Sequence, residues 1–576
     1  MSNEKPSAVK QQDKSAAVNV SKQLREMFEL CPRPQREALD QKELQKVFIS
    51  LSNGKARAKT FVGVGATVEK AFEAALRRAE ETDYVCSRLP KYVLFSVVAE
   101  EEKVSLEDFY QRLRATRRGY YRYGFSLDDD FETAFIEQEV YGASLVKYGN
   151  RDNQSLNKVN IERQIKYQTG NDIVVDIEAA AEITLFSTLC LFYERGTRVV
   201  LDNDIESLNY HMRAYPDPIT EPFLRKSLEE TGDFLASLVQ PSGRFIYAIY
   251  PCFARESSDY NVMRGLGGTL ALADLCDIIP KPIYREKAIL SLEYAINNFV
   301  YEVGDLAFIK PADTEPSVTQ GELKSGANGL AILAINRLLE ITTQVEQSPA
   351  WRSLLTKLAD GLLFMQNSDG SFNQVLNLSD LSLKDKFRIV FYDGEAVSGL
   401  AKVYSRTHDK KILNAIRLAL DYAIDNQYDR YGDQLGHWQA YAVEEVMKYL
   451  HNDRYFKYGL RNLYHDLESV ISRIRTDSTL LETLIASWAI VRRLGEMGRD
   501  ELLFPYNLRA IPYAVDRRIR VQLSSIMQPE LAMFYRNPDQ IKGGIFIRGD
   551  ASRMRVDDSQ HHLLGFANYY RQMFFA

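Results

Sequence analysis

At 576 residues the chain is too long for one ordinary core, and two or three domains are expected. Hydrophobic residues make up 45% and charged residues 26%, the balance of a globular chain and not of a disordered one. A formal charge of −6 over this length argues against a nucleic-acid partner, because binding to a phosphate backbone needs a concentrated basic face.

The five cysteines (Cys31, Cys86, Cys190, Cys252, Cys276) contain no CxxC pair. That spacing points to a reducing compartment and away from a disulfide framework or a zinc ribbon. Residues 1–22 hold no apolar segment of signal-peptide type, and no stretch approaches the length of a membrane span. The expected location is therefore cytoplasmic. Tyrosine is the compositional anomaly, with 33 residues against 3 Trp. Its flat face and polar tip suit stacking on sugar rings, and suit packing at helix ends equally well.

In chain order, residues 1–22 are polar and read as a disordered tail, followed by a short helix over QLREMFEL (23–30) that Cys31-Pro-Arg-Pro34 stops. KVFISLSNGKARAKTFVGVGA, from about 46, holds two β-rich runs split by Ser52-Asn-Gly54, a hairpin signal. Thr67 can cap a helix over VEKAFEAALRRAEET, with apolar residues at 71, 72, 75 and 76. Further strands are expected at 91–101, 172–180, 189–196 and 197–203. Residues 40–210 thus form an α+β domain with a mostly antiparallel sheet, in which no catalytic motif stands out. The acidic run Asp128-Asp-Asp130 reads as structural.

After Pro216-Asp-Pro218 the chain turns helical almost without interruption. Six apolar helices open on small or polar heads: Arg264–Gly268, Lys324–Gly329, Asp393–Glu395, His437-Trp438, Leu481-Glu482 and Asp557–His562. They alternate with amphipathic helices expected at 221–240, 282–300, 351–366, 409–427 and 454–474. Alternation of this kind builds helical hairpins, the unit that stacks into solenoids and rings. Two short turns repeat as well. Ser242-Gly-Arg-Phe245 and Asp369-Gly-Ser-Phe372 each follow an outer helix that ends near a Gln (Gln240, Gln366).

On these residues, residues 220–576 resemble the (α/α)6-toroid, six-hairpin glycosidase-like superfamily. That group includes unsaturated glucuronyl hydrolases, C5-epimerases, polysaccharide lyases and several glycoside hydrolases. No single family's catalytic signature matches residue for residue. The resemblance implies parallel inner helices whose N-termini surround one cleft. Small residues such as Gly265, Gly267, Gly268, Gly326, Gly329 and Gly399 would then let the helices approach the axis. Helix N-termini, with their free N–H groups and partial positive charge, suit anionic ligands. The expected fold class is therefore a multidomain chain with an N-terminal α+β domain followed by an (α/α)6 toroid.

The candidate catalytic groups are the carboxylates at the heads: Asp393, Glu395, Glu482, Asp557 and Asp558. Asp393 and Asp557-Asp558 equally suit helix capping. Glu482 sits in an apolar run, where a carboxylate must be paired, exposed or functional. Candidate substrate binders are Arg255, Tyr260, Asn261, Arg264, His437, Trp438, His561 and His562, with Arg offering a planar fork to a carboxylate and Trp a stacking face. No P-loop, nucleophile elbow or HExxH motif occurs, and no metal or other cofactor is expected. The function expected is a carbohydrate-active enzyme on a glycan, with an acidic one favoured. A paired-carboxylate glycoside hydrolase is preferred; an imidazole or tyrosine beside a carboxylate would fit a lyase or C5-epimerase. The competing class is a non-catalytic scaffold of an envelope-polysaccharide assembly system. It would be marked by rim carboxylates neutralised by internal Arg or Lys pairs. A homo-oligomer or an assembly partner is left open.

Overall fold

The computed structural model describes residues 7–34, 44–82, 85, 88–148, 154–178, 182–314, 321–342, 348–427, 436–465, 467–476 and 478–575. Cys86, one of the five cysteines, lies outside them; Cys31, Cys190, Cys252 and Cys276 carry free thiols. Among the described residues no helix is long and apolar enough to cross a membrane.

The first helix, α1 (Ser7–Phe28), corrects the expectation of a tail over residues 1–22, since it starts at Ser7. Val20, Leu24 and Phe28 recur at helical spacing and are buried, with Phe28 stacked on Phe72 at 3.9 Å. They lie against one face of an antiparallel sheet built from β1 (Gln45–Ser52), β2 (Lys59–Gly65), β3 (Tyr92–Ser105), β4 (Gly124–Ser126), β5 (Ala134–Phe135), β6 (Glu182–Glu194) and β7 (Thr197–Val199). The order is β2-β1-β3-β6-β4-β5, with β7 paired to β6. The β1–β2 hairpin forms where expected, but pairing resumes only at Leu51↔Lys59, so the turn is longer than two residues. Thr67 accepts from the Lys70 N–H and caps α2 (Val68–Glu80), whose Ala71, Phe72, Ala75 and Leu76 are buried, and Ser105 at the end of β3 likewise caps α3 (Leu106–Ala115). The strand expected at 172–180 does not form over its described part, and the neighbouring strand begins at Glu182 instead.

Strand alternation sends the other sheet face outward from α1 and α2. Phe48, Leu94, Phe186 and Phe192 on that face form a cluster with Met533 and Phe534 of the helical region. The sheet is therefore covered on both sides. A buried ion pair, Arg213 with Glu530 at 3.0 Å, fixes the junction.

Among the described residues twelve helices make the ring. Six are outer: α4 (Glu221–Ser237), α6 (Pro282–Phe299), α8 (Ser348–Met365), α10 (Lys410–Tyr422), α12 (Asp453–His465) and α14 (Ala510–Leu523). Six are inner: α5 (Val262–Leu275), α7 (Ser325–Ile341), α9 (Val390–Thr407), α11 (His437–Val446), α13 (Thr479–Glu496) and α15 (Val556–Phe574). Each inner helix packs on the next, and α15 packs back on α5, which closes the circle. The helical part is an (α/α)6 toroid with one continuous core. Outer helix α14 was not anticipated. Pro512 and three arginines break its apolar period, and one of them, Arg518, is fully buried.

The two repeated turns do the same job. Gly243 and Gly370 both have φ +90°, and a Cβ on either would meet a main-chain oxygen of the next outer helix, Leu290 at 2.4 Å or Leu418 at 2.1 Å. The positive-φ glycine closes a turn five or six residues past the end of one outer helix, rather than capping that helix, while touching the following one. Inner helices α7 and α9 approach through glycines, a Cβ on Gly399 lying 3.1 Å from the Gly329 Cα. The first and last inner helices are also joined by pairing of Ala248–Ile249 with Met554–Arg555, just before their heads.

Candidate active site

All six inner heads open into one cavity of about 730 Å³. Asn261 and Arg264 come from the start of α5, Lys324 from the residue before α7, and Glu395 from the second turn of α9. His437 and Trp438 start α11, Ser478 and Thr479 start α13, and Asp557, Asp558 and His561 start α15. Three further segments complete the wall: Arg117, Arg118 and Tyr120 from the N-terminal domain, Arg475 and Thr476 before α13, and Ile547–Asp550 with Arg553 and Arg555 before α15.

Local sequence fixes these positions. Asn261 caps α5 by accepting from the Arg264 N–H at 3.1 Å. At α15, Asp558 accepts from the Arg555 N–H and guanidinium at 3.0–3.2 Å, tying the residue before the helix to its first turn. Asp557 lies 3.6 Å from Arg264 and 3.3 Å from Arg555, and Asp550 lies 2.6 Å from Arg553. Three of the four carboxylates on the wall are therefore ion-paired. Among the described residues eight cations share that wall, so the cavity is strongly cationic although the chain as a whole is weakly acidic.

The fourth carboxylate, Glu395, differs. It is 4% exposed, and its Oε2 is buried with no hydrogen-bond partner. Burial pushes its carboxyl up to about 8, and the charge of Arg264 only partly opposes this, so it holds a proton at neutral pH. Gly326 on the facing helix makes the room; a Cβ there would come 1.9 Å from Glu395 Oε2. Asp393 is two residues away on the same helix, and positions i and i+2 do not share a face. Its Oδ1 accepts from Gln374 Nε2 at 2.8 Å, and the residue is absent from the cavity wall. Gln374 also accepts from the Arg388 and Ile389 N–H groups, so Asp393 helps hold the lead into α9.

Glu482 lies beneath the cavity floor and is fully buried. Its Oε2 is 2.7 Å from His561 Nδ1 and 4.0 Å from His437 Nε2, and its Oε1 accepts from Tyr441 at 3.2 Å. Burial pushes Glu482 up to about 7 and depresses His437 to about 3 and His561 to about 4, with Arg264 adding to the effect on both rings. Both imidazoles are neutral bases. Trp438 packs against His437 and Tyr441 and is 4% exposed, so it closes the floor and offers no open stacking face.

Three anticipated binders lie elsewhere. Arg255 is exposed in a short strand, its guanidinium over Tyr250. Tyr260 stacks on Phe299 behind Gly265. His562 is buried against Phe566, one residue out of phase with His561. Sequence reasoning missed Arg117, Arg118, Tyr120, Arg475 and Arg548. The signal for the first three was the run Arg117-Arg-Gly-Tyr120. Gly119 has φ +82°, and a Cβ on it would lie 2.4 Å from the Arg548 main-chain oxygen, so the loop docks tightly on the toroid rim. Tyr120 then lies beneath the guanidinium groups of both Arg117 and Arg548. Arg475 is held indirectly, because buried Arg518 of α14 donates to the Arg473 and Arg475 carbonyl oxygens.

No family model and no curated protein matches the sequence. Among solved structures the chain is similar to a D-mannose isomerase, at 12% identity and a TM-score of 0.45 over 63% of this chain and 100% of that one. It is similar to the cellobiose 2-epimerase from Bacillus thermoamylovorans B4167, at 10% identity and a TM-score of 0.44 over 62% and 100%. It is also similar to a GH76 alpha-mannanase from Bacteroides thetaiotaomicron, at 10% identity and a TM-score of 0.43 over 61% and 97%.

Proposed function

We propose that the protein is a carbohydrate-active enzyme that moves a proton at a carbon beside the carboxylate of an acidic sugar, as an epimerase or a lyase. The supporting observation is the pairing, in one arginine-rich cavity, of a buried protonated carboxyl (Glu395) with neutral imidazole held by a carboxylate (His561 on Glu482). His561 takes the proton, Glu482 stabilises the imidazolium formed, and Glu395 supplies the proton on the acid side. The surplus arginines hold the sugar carboxylate and the negative charge that develops on it. The repeated hairpins that resemble the six-hairpin glycosidase-like fold direct the reading to sugars, and the cavity has the size of a ligand site.

A glycoside hydrolase built on two rim carboxylates fits less well, since Asp557 and Asp558 are engaged by arginines and Asp393 is turned away. The same arginine pairing favours a second reading, a glycan-holding scaffold without catalysis. Incubating the protein with uronate-containing oligosaccharides in heavy water separates the three. Deuterium entering the carbon beside the carboxylate, or an unsaturated product, supports proton transfer. New reducing ends with no exchange mean hydrolysis, and binding with neither means a scaffold. Glu395→Gln should lower the exchange rate roughly 10²–10⁴-fold.

A further inference from the structure

We propose that His437, Glu482 and His561 form a binding site for a divalent transition-metal ion, zinc by donor type, at the floor of the cavity. The inference deepens the reading above and rests on it in taking this cluster as the proton-accepting side. Each residue comes from a different inner helix, α11, α13 and α15, and one ligand atom from each lies within 4.8 Å of the others. Two imidazoles and one carboxylate are a recurrent donor set for zinc with an open fourth position.

The spacing is close to what the ion needs. Zinc bonds of ~2.0–2.2 Å in a tetrahedron set ligand atoms roughly 3.3–3.5 Å apart. The Glu482–His561 gap of 2.7 Å and the Glu482–His437 gap of 4.0 Å bracket that distance. A small opening of one and closing of the other completes the site.

An independent observation points the same way. His437 is 3% exposed, yet its Nε2 is buried without a hydrogen-bond partner. A buried ring nitrogen left so is costly, and a metal ion would satisfy it. Both rings are already in the neutral form that ligates. Behind Glu482, Tyr441 donates to Oε1 at 3.2 Å and itself accepts from Asn568 at 3.1 Å, the kind of outer support that orients a ligating carboxylate. Arg264 is the nearby cation that opposes an ion here, and Asp557 at 3.6 Å offsets it. His437 and His561 also line the cavity, so the open position faces it. Water bound there would be acidified and, as hydroxide, would accept the substrate proton in place of the imidazole, leaving as bound water.

The test uses the full chain, stripped with a chelator and titrated with Zn²⁺ or Co²⁺. Mass-spectrometric metal analysis should give one ion per chain, with the visible absorption of tetrahedral Co²⁺ and a rise in melting temperature. His437→Ala and Glu482→Gln should abolish binding, and Tyr441→Phe should weaken it roughly 10–100-fold. Failure of the stripped native chain to take up Zn²⁺, Co²⁺, Mn²⁺ or Fe²⁺ overturns the proposal, whatever the variants do. Undiminished binding by a folded His437→Ala/His561→Ala chain overturns it too. Proton exchange that survives chelation but not His561→Ala would remove the metal and leave the proton-transfer reading. Stoichiometric, His437-dependent zinc without exchange on any uronate would do the reverse.

Discussion

The two ends of the toroid are built from the same six helices and treat charge in opposite ways. At the C-terminal ends lies a smaller cavity of about 320 Å³, lined by four Lys or Arg and five carboxylates. There Asp274 contacts Arg571 at 2.8 Å and Arg337 at 3.2 Å, and Glu445 contacts Lys402 at 2.6 Å and Lys448 at 2.7 Å. Burial would raise both carboxyls, but the paired cations outweigh it and hold them below their ordinary value. At the N-terminal ends the shifts run the other way: Glu395 rises and the imidazoles fall. Paired charge ties one end of the ring together. A carboxyl and two imidazoles that burial holds neutral give the other end acid and base at neutral pH.

The largest expected effect tests this contrast directly. Glu444 lines the lower cavity and is pushed by burial up to about 7, so it is the internal control for Glu395. Glu395→Gln should cost roughly 10²–10⁴ in kcat/KM, while Glu444→Gln should leave turnover on the same acidic sugar near that of the native chain. Equal losses in the two variants would mean that the upper cavity holds no acid catalyst of its own.

How far this site was legible in the sequence follows from distance along the chain. Each head is a local pattern, a polar or small cluster followed by an apolar period, and all six helices were readable, although α9 and α13 start up to a turn earlier than expected, at Val390 and Thr479. Asp393 and Glu395 were read as one cluster because they are neighbours in sequence, whereas a helix turns them to different faces. His561 and His562 were joined for the same reason and separated by the same geometry. Arg117, Arg475 and Arg548 come together only through the docking of the sheet domain and the burial of Arg518 in α14. No periodicity links positions so far apart. The ring closure of α15 on α5 is likewise a property of the whole circuit, and only the count of hairpins hinted at it.

A smaller effect is expected from the arginines. Charge-assisted hydrogen bonds contribute about 1.5–3 kcal/mol, so Arg117→Ala or Arg118→Ala should raise KM for an acidic sugar roughly tenfold to a hundredfold and leave a neutral analogue unaffected. Arg571→Ala at the lower end should do the opposite. It removes one of the two arginines that hold the Asp274 carboxylate and should cost about 1.5–3 kcal/mol of stability in denaturant unfolding, with KM unchanged. A KM effect from Arg571 would erase the distinction between a binding end and a structural end.

The most gradual effect is a slope. Glu395 has an ordinary value of 4.5 and sits at about 8 in the fold, so between these limits the native state keeps a proton that the unfolded chain has lost. Stability must then fall as pH rises from about 4.5 to about 8, by on the order of 1 kcal/mol per pH unit while the difference is complete, and level off above. Glutamine cannot ionise, so Glu395→Gln should remove this slope and be more stable relative to the native chain at pH 8 than at pH 5. Asp274 carries the reverse sign. Its lowered value stabilises the fold above the ordinary carboxylate range and is lost on acidification, so Asp274→Asn should cost more at pH 7 than at pH 3. Unfolding free energies measured across pH for the two variants should therefore diverge in opposite directions. Parallel profiles would show that the upper carboxyl is paired in solution like the lower one.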